Sequence, residues 1–506
     1  MKKQLSMALI AAISMAALRA ADAPAQANTS ERMPPNLVVF VVDDMDYASL
    51  NANGCPVPGL TPNMDRLASE GVIFEQGHVP NAVCQPSRQS MMTGLHPHRN
   101  GSFGFEPVPP GVPNLSELLM AHGYYTASFN KGRDYASFKW SEFLDGYGTS
   151  GFGRDPGMFV ASAKKAIFKA KSEGKPFFLN IATSDPHRPF PGSADEEKML
   201  QKMKKKWTKP AVAGKVFVAS FHNICAPDQA WVPPYLADLP EVREELAQYY
   251  NAVHRADETL GGILDLLKAE GVAENTIVVF FSDNGAPFAP SKQNCYPYST
   301  RAALIVRWPG VVKPGNRDSS HMVSTMDIMP TILEQAGIPL PVKLDGRSLL
   351  PMLQGKPQTG RDHLYTTQNY IKPGTQVFPM RAVHTREFTY IFNAWSDGKQ
   401  RFQGECMSGL TFAAMEKAAK TDAKLAGRVK HIAYREAEEL YDLKSDPWCL
   451  HNLAADPGHA AIKAELQRIM EAEMRQTDDP LLPRFLGKGE LPAAWLVGKP
   501  GADSSE

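Results

Sequence analysis

Two acidic pairs stand at comparable places in this sequence. Asp43-Asp44 ends the apolar run Leu37-Val38-Val39-Phe40-Val41-Val42, and Asp283-Asn284 ends the run from Thr276 to Ser282. Adjacent carboxylates crowd negative charge at a cost that a divalent cation between them removes. Asp43, Asp44, Asp283 and Asn284 offer only oxygen, which suits a hard ion, calcium first and magnesium second, and argues against zinc or copper. Solvated loop acids or helix caps would account for either pair alone, but less well for two pairs at the ends of similar runs. Cys84-Gln85-Pro86-Ser87-Arg88-Gln89-Ser90-Met91-Met92-Thr93-Gly94 lies between the pairs in sequence. It offers a sulfur, which a buried thiol on a loop would account for, and a guanidinium, Arg88, in the first turn of a following helix.

The elements that must position these groups read as alternating strands and helices. Apolar, β-branched runs end at Val42, Phe129, Thr183, Ser282 and Trp308, and helical patterns cover Thr61 to Ser69, Leu115 to His122, Val160 to Lys171 and Val242 to Ala269. This alternation predicts an α/β fold with a large, mostly parallel sheet covered by helices on both faces. In such sheets the site gathers beyond the carboxyl ends of the strands, where both acidic pairs fall. After Met352, Gly355, Pro357 and Gly360 mark a junction, followed by short strands from Met380 to Phe392 and a helix from about Ala461 to Arg475. The expected division is a catalytic domain over 34–355 and a smaller C-terminal α+β domain with an antiparallel sheet over 356–500.

The 54 basic and 54 acidic residues cancel and form no long run of one sign, which excludes a nucleic-acid footprint. Lys2-Lys3, the apolar stretch Met7 to Leu18 and Ala25-Gln26-Ala27 predict a signal peptide over 1–27 and export to the periplasm or medium; a short membrane anchor is the alternative. No later segment approaches the roughly 20 apolar residues of a membrane span, so none is expected in the mature protein. The six cysteines show no CxxC or zinc-like spacing, and Cys406 with Cys449 is a candidate bridge.

The segment Cys84-Gln85-Pro86-Ser87-Arg88 with Thr93-Gly94 resembles the sulfatase signature. The likeness extends through Asn36 to Asp44, Thr61 to Ala68, Ser282 to Gly285, Leu304 to Gly310, Asp327 to Leu333 and Leu440 to Pro447 with Asn452-Leu453. The resemblance implies an alkaline-phosphatase-like fold. It also implies conversion of Cys84 to formylglycine by a maturation enzyme, with position 84 joining Asp43, Asp44, Asp283 and Asn284 around the cation. In such chemistry one hydroxyl of the hydrated aldehyde attacks sulfur, and the other loses its proton to expel sulfate. By the same resemblance Arg88 holds the hydrate or its metal surroundings, Lys131 and Lys292 bind the sulfate, and His187 of Asp185-Pro186-His187-Arg188 binds sulfate or protonates the leaving group. One departure stands out: the family's histidine two residues after the lysine is here Arg133, which can bind anions but cannot shuttle protons near neutral pH.

Within the family, Asp185 to Arg188, Val232-Pro233-Pro234-Tyr235 and Ser282 to Phe288 resemble the heparan N-sulfatase branch. The substrate that this implies is a sulfated carbohydrate, with N-sulfoglucosamine of heparan sulfate or heparin as the narrow case. His222, Trp231, Phe378 and Arg381 are candidates for a sugar pocket, with core packing the alternative for the apolar ones, and Lys202 to Lys209 is a candidate polyanion contact or a solvated helix face. Two other functions fit parts of the pattern: a phosphomonoester or phosphonate hydrolase of the same superfamily, and a non-catalytic binder of sulfated glycans.

Overall fold

The computed structural model describes residues 34–145, 152–206, 221–371, 374 and 377–496, with side chains at 203–206 left out. The expected signal peptide therefore lies outside the described residues, as do positions 207–209 of the basic run. The central feature is an eight-stranded sheet in the order β5-β4-β6-β1-β7-β8-β2-β9. Its strands are β1 (Asn36–Val42), β2 (Val72–Phe74), β4 (Tyr125–Phe129), β5 (Glu142–Leu144), β6 (Phe177–Ala182), β7 (Thr276–Ser282), β8 (Leu304–Arg307) and β9 (Asn316–Asp318). From β5 to β7 every pairing is parallel; β8 runs against both β7 and β2.

Both faces of this sheet are buried, which is why its strands read as continuous apolar runs. Along β1 the side chains alternate between two cores. Val38, Phe40 and Val42 pack with the long helix Pro240–Ala269, with Pro156–Ser172 and with Pro62–Glu70. Leu37, Val39 and Val41 face the other core, with Met91 and Met92 of the helix Cys84–Thr93, Leu115 and Leu119 of Leu115–Ala121, and Ile332 of Ile328–Gln335. Each such side chain contributes roughly 1.5–3 kcal/mol by leaving water, so a charge at Val39 would break the layer. Pro240 opens the long helix at its first position, where a missing N–H costs nothing.

β3 (Gly77–His78) and β10 (Val323–Ser324) form a short parallel pair. β11 (His363–Tyr370), β12 (Val377–Thr385), β13 (Phe388–Asn393) and β14 (Glu438–Asp442) make an antiparallel sheet in that order. One of its faces packs on Leu466, Met470 and Met474 of the helix Ala460–Gln476. Met380, Ala382 and Ile391 on the other face join the core of the large sheet. The C-terminal segment thus shares apolar packing with the rest of residues 35–506, which form one compact unit.

All six cysteines are buried and free, so the Cys406–Cys449 bridge is not formed; Cys406 instead takes a contact from Asn294 Nδ2 at 3.9 Å. No helix of the described residues is long and apolar enough to cross a membrane.

Candidate active site

β1 and β7 are parallel neighbours in a register that sets Val42 against Ser282. The two acidic pairs, 240 residues apart, therefore leave the sheet side by side, and Asp44 donates its backbone N–H to Asp283 Oδ1 at 3.0 Å. Asp44 turns back toward its neighbour through a left-handed backbone, φ 69°, a conformation that costs a non-glycine residue of order 1 kcal/mol and collects at functional sites. Asp43, Asp44, Asp283 and Asn284 are all fully buried. One carboxylate oxygen from each of the three acids lies within 4.8 Å of the others.

Cys84 opens the helix Cys84–Thr93 and points its Sγ at Asp43 Oδ1, 3.2 Å away. Arg88 follows in the second turn, not the first. At i+4 it shares Cys84's face, and Nε and its terminal nitrogen grip Asp283 Oδ2 at 2.8 and 2.7 Å. The same guanidinium lies 3.7 Å from Asp43 and 3.5 Å from Asp134.

Three further cations close the outer side. Lys131, on a left-handed turn after β4, pairs with Asp43 Oδ2. Lys292 is fully buried, its Nζ 2.9 Å from Asp44 Oδ2 and 3.0 Å from Glu405 Oε2. His187 Nε2 lies 3.1 Å from Glu405 Oε1 and 3.9 Å from Asp44 Oδ2, while Nδ1 bonds the Arg188 carbonyl, as a donor. The loop carrying His187 is held by Asp185, whose carboxylate is clamped by Arg154 at 2.6 Å and Arg255 at 2.6 Å, and whose carbonyl accepts from Asp43 N at 3.0 Å.

Charge in this cluster is tightly opposed. Burial pushes Asp283 up, Asp43 adds to it, and Arg88 only partly answers, leaving its carboxyl at about 7. Burial works the same way on Asp43, but Lys131, His187, Arg88 and Lys292 outweigh it and hold that carboxyl well below the usual range. Burial, followed by Asp43, pushes the Cys84 thiol well above the ordinary range, so the unmodified thiol is a poor nucleophile. An all-oxygen donor set with one acid driven toward its protonated form, and with the buried Asn284 Oδ1 lacking a hydrogen-bond partner, fits a hard divalent cation.

The fourteen residues singled out by sequence do not all meet here. Arg133 is exposed at the start of the short helix Gly132–Tyr135. His222 stands apart, its Nδ1 2.5 Å from Glu258. Phe378 packs against Trp395 and Phe402, and Trp231 against Trp448. Arg381 is fully buried and spent on Asp479, at 2.7 and 3.0 Å, so it lines no sugar pocket. Conversely, sequence reasoning missed Glu405, which arrives from the C-terminal segment and carries no local motif, and Asp134, Arg154 and Arg255. No sequence signal marked any of these as facing inward: Arg255 lies off the apolar stripe Leu246, Tyr250, Val253 and Leu260 of Pro240–Ala269 and is buried all the same.

A mostly parallel α/β sheet bearing two acid pairs, a helix-opening cysteine and a ring of cations suits the hydrolysis of anionic esters. The family model described as Sulfatase matches residues 35–338, and a second, N-sulphoglucosamine sulphohydrolase, C-terminal, matches 290–400. The chain belongs to the sulfatase family and is a sulfuric ester or sulfamate hydrolase. It is 28% identical to human N-sulphoglucosamine sulphohydrolase over 88% of this chain and 91% of that protein. It is 25% identical to an ulvan-active sulfatase of Formosa agariphila over 90% and 82%. Among solved structures, one of a protein in complex with its substrate D-glucosamine-2-N,6-O-disulfate superposes with a TM-score of 0.65 at 20% identity, covering 88% of this chain and 98% of that one.

Proposed function

We propose that this protein is an exported, formylglycine-dependent sulfatase of sulfated sugars, with N-sulfoglucosamine of heparan sulfate or heparin as the favoured substrate. The observation that carries the reading is Cys84 Sγ at 3.2 Å from Asp43 Oδ1, at the head of a helix and inside a cluster of three carboxylates faced by four cationic side chains. The sugar assignment draws on the likeness to N-sulphoglucosamine sulphohydrolase along nearly the whole chain. Residues 1–27 are the export signal, 34–355 the catalytic part and 356–500 the smaller part.

Asp43, Asp44, Asp283 and Asn284 would hold calcium, or magnesium in its place, with position 84 beside it. Oxidised by a maturation enzyme to formylglycine, position 84 would supply as its hydrate one hydroxyl to attack sulfur and a second whose deprotonation would expel sulfate. The remaining work falls to this chain's own side chains. Arg88 fixes Asp283 and keeps Asp43 in place, so the carboxylates do not drift apart. Lys131 and Lys292 face the oxygens on sulfur, where charge builds as the S–O or S–N bond breaks; losing one costs about 3 kcal/mol of transition-state stabilisation. His187 Nε2 gives its proton to the departing oxygen or nitrogen. Arg133, exposed beside Lys131, is left to bind anionic groups farther along the glycan.

Peptide mass spectrometry of the Cys84 segment, on protein made alongside a maturation enzyme, tests the reading. Formylglycine at 84, with desulfation of N-sulfoglucosamine that disappears in Cys84→Ala and after chelation, is the expected result. A persistent thiol in an active enzyme, or turnover that survives either change, would sink it.

A further inference from the structure

Glu405 poses a problem that the sulfatase reading leaves unsolved, because it places a carboxylate on the two cations meant for the substrate's sulfate. Its Oε2 lies 3.0 Å from Lys292 Nζ and its Oε1 3.1 Å from His187 Nε2. The placement is built in rather than incidental. Glu405 donates its backbone N–H to Gln293 Oε1 at 2.7 Å, and Gln293 directly follows Lys292 and anchors its own N–H on the Ala82 carbonyl at 3.0 Å. Gln293 holds this pose through a left-handed backbone, φ 67°. A Cβ at Gly404 would come within 2.6 Å of that same Gln293 oxygen, so a side chain there would push the amide off its bond to Glu405.

Side chains at the site are otherwise shut away, and solvent reaches it past Glu405, His187 and Lys131, whose side chains are 32%, 27% and 19% exposed. A sulfate entering there meets a like charge. An aryl sulfate offers nothing in return. A sulfated sugar carries hydrogen-bond donors next to sulfur: the sulfamate N–H, or a hydroxyl on the adjoining carbon. A carboxylate accepts such donors strongly, and a site so built rejects analogues that lack them.

We propose that Glu405 is a specificity-determining residue, which accepts a hydrogen bond from the sugar's N–H or neighbouring hydroxyl and thereby favours sugar sulfates over donor-free sulfates. This rests on the sulfatase reading of the same pocket. Binding measured without turnover keeps the two apart. In Cys84→Ala protein with its cation, calorimetry compares N-sulfoglucosamine, inorganic sulfate and 4-nitrophenyl sulfate before and after Glu405→Ala or Glu405→Gln. The expected pattern is divergent. N-Sulfoglucosamine binding weakens about 100-fold, while inorganic sulfate and 4-nitrophenyl sulfate hold steady or tighten about 10-fold as the like charge goes.

In enzyme carrying formylglycine the same variants should lower kcat/KM for the sugar chiefly through KM, and by a larger factor than for the aryl substrate. An equal loss for all three ligands, with a Tm lowered alike in Glu405→Ala and Glu405→Gln, would mean that Glu405 merely neutralises Lys292 and would overturn the proposal. So would unchanged sugar binding. Neither result depends on whether Cys84 becomes formylglycine.

Discussion

Replacing His187 with Gln tests the assignment of the proton donor. Nδ1 is committed to the Arg188 carbonyl, so only Nε2, facing Glu405 and Asp44, can carry a proton into the pocket. Burial and Lys292 oppose the charged ring, but Asp44, Asp43 and Glu405 together outweigh them and hold His187 above its ordinary range. The donor therefore keeps its proton to a higher pH than a free imidazole does, and its rate contribution is lost as pH rises through that raised pKa. A positioned general acid is worth about 10²–10⁴ in rate, or roughly 3–5 kcal/mol. Gln keeps the side chain's bulk and hydrogen bonding but has no proton to give. Steady-state kinetics on N-sulfoglucosamine should show that loss in kcat and flatten the alkaline limb of the pH profile. 4-Nitrophenyl sulfate, whose nitrophenolate departs without a proton, should lose about tenfold or less. Equal losses on both substrates, or an alkaline limb that survives the substitution, would refute proton delivery by His187 and leave it an anion-binding group.

Two predictions concern stability. Arg381 and Asp479 form a fully buried bidentate pair, so Arg381→Met should cost about 3–5 kcal/mol in urea unfolding by stranding Asp479, and adding Asp479→Leu should restore most of it; a cost under about 1 kcal/mol would contradict the pairing. Burial holds His384 and His98 down to about 3, so below about pH 6.5 the unfolded chain takes up protons that the folded protein refuses. Stability is whole above that pH and falls on acidification toward 3, by about 1.4 kcal/mol per pH unit for each ring. Urea melts between pH 7 and 5 should show His384→Gln with a slope shallower by one proton; an unchanged slope would show that this ring does not carry the effect.

Much of the site was legible because chain-local chemistry announces it. Asp43-Asp44 and Asp283-Asn284 follow apolar runs whose β-branched composition fits strands buried on both faces, and strands of that kind deliver their next residues to one edge of a sheet. The spacing of Cys84 and Arg88 is one helical turn, so their shared face follows wherever a helix forms. Predicted strands at Phe129, Thr183, Ser282 and Trp308 all form, but β8 enters antiparallel, since direction depends on the connection and not on composition. The short β2 and β9 lie below the length at which a pattern can be read.

Other features were set by packing alone. Arg381 has the chemistry of an anion ligand, and only the fold shows it facing Asp479 at the end of a helix about 100 residues away. Cys406 and Cys449 could have been read as partners, and the fold buries them as separate thiols. The sequence by itself determined the Cys84–Arg88 motif, the two oxygen-bearing pairs and the strand ends that bear them, because each is encoded within a few consecutive residues. Tertiary structure decided the β1–β7 register that unites the acid pairs, the left-handed turns at Asp44, Lys131 and Gln293 that aim the site's side chains, and the arrival of Glu405 on Lys292 and His187. These are contacts across more than 100 residues, fixed by shape and charge balance in the folded core, and no local pattern records them.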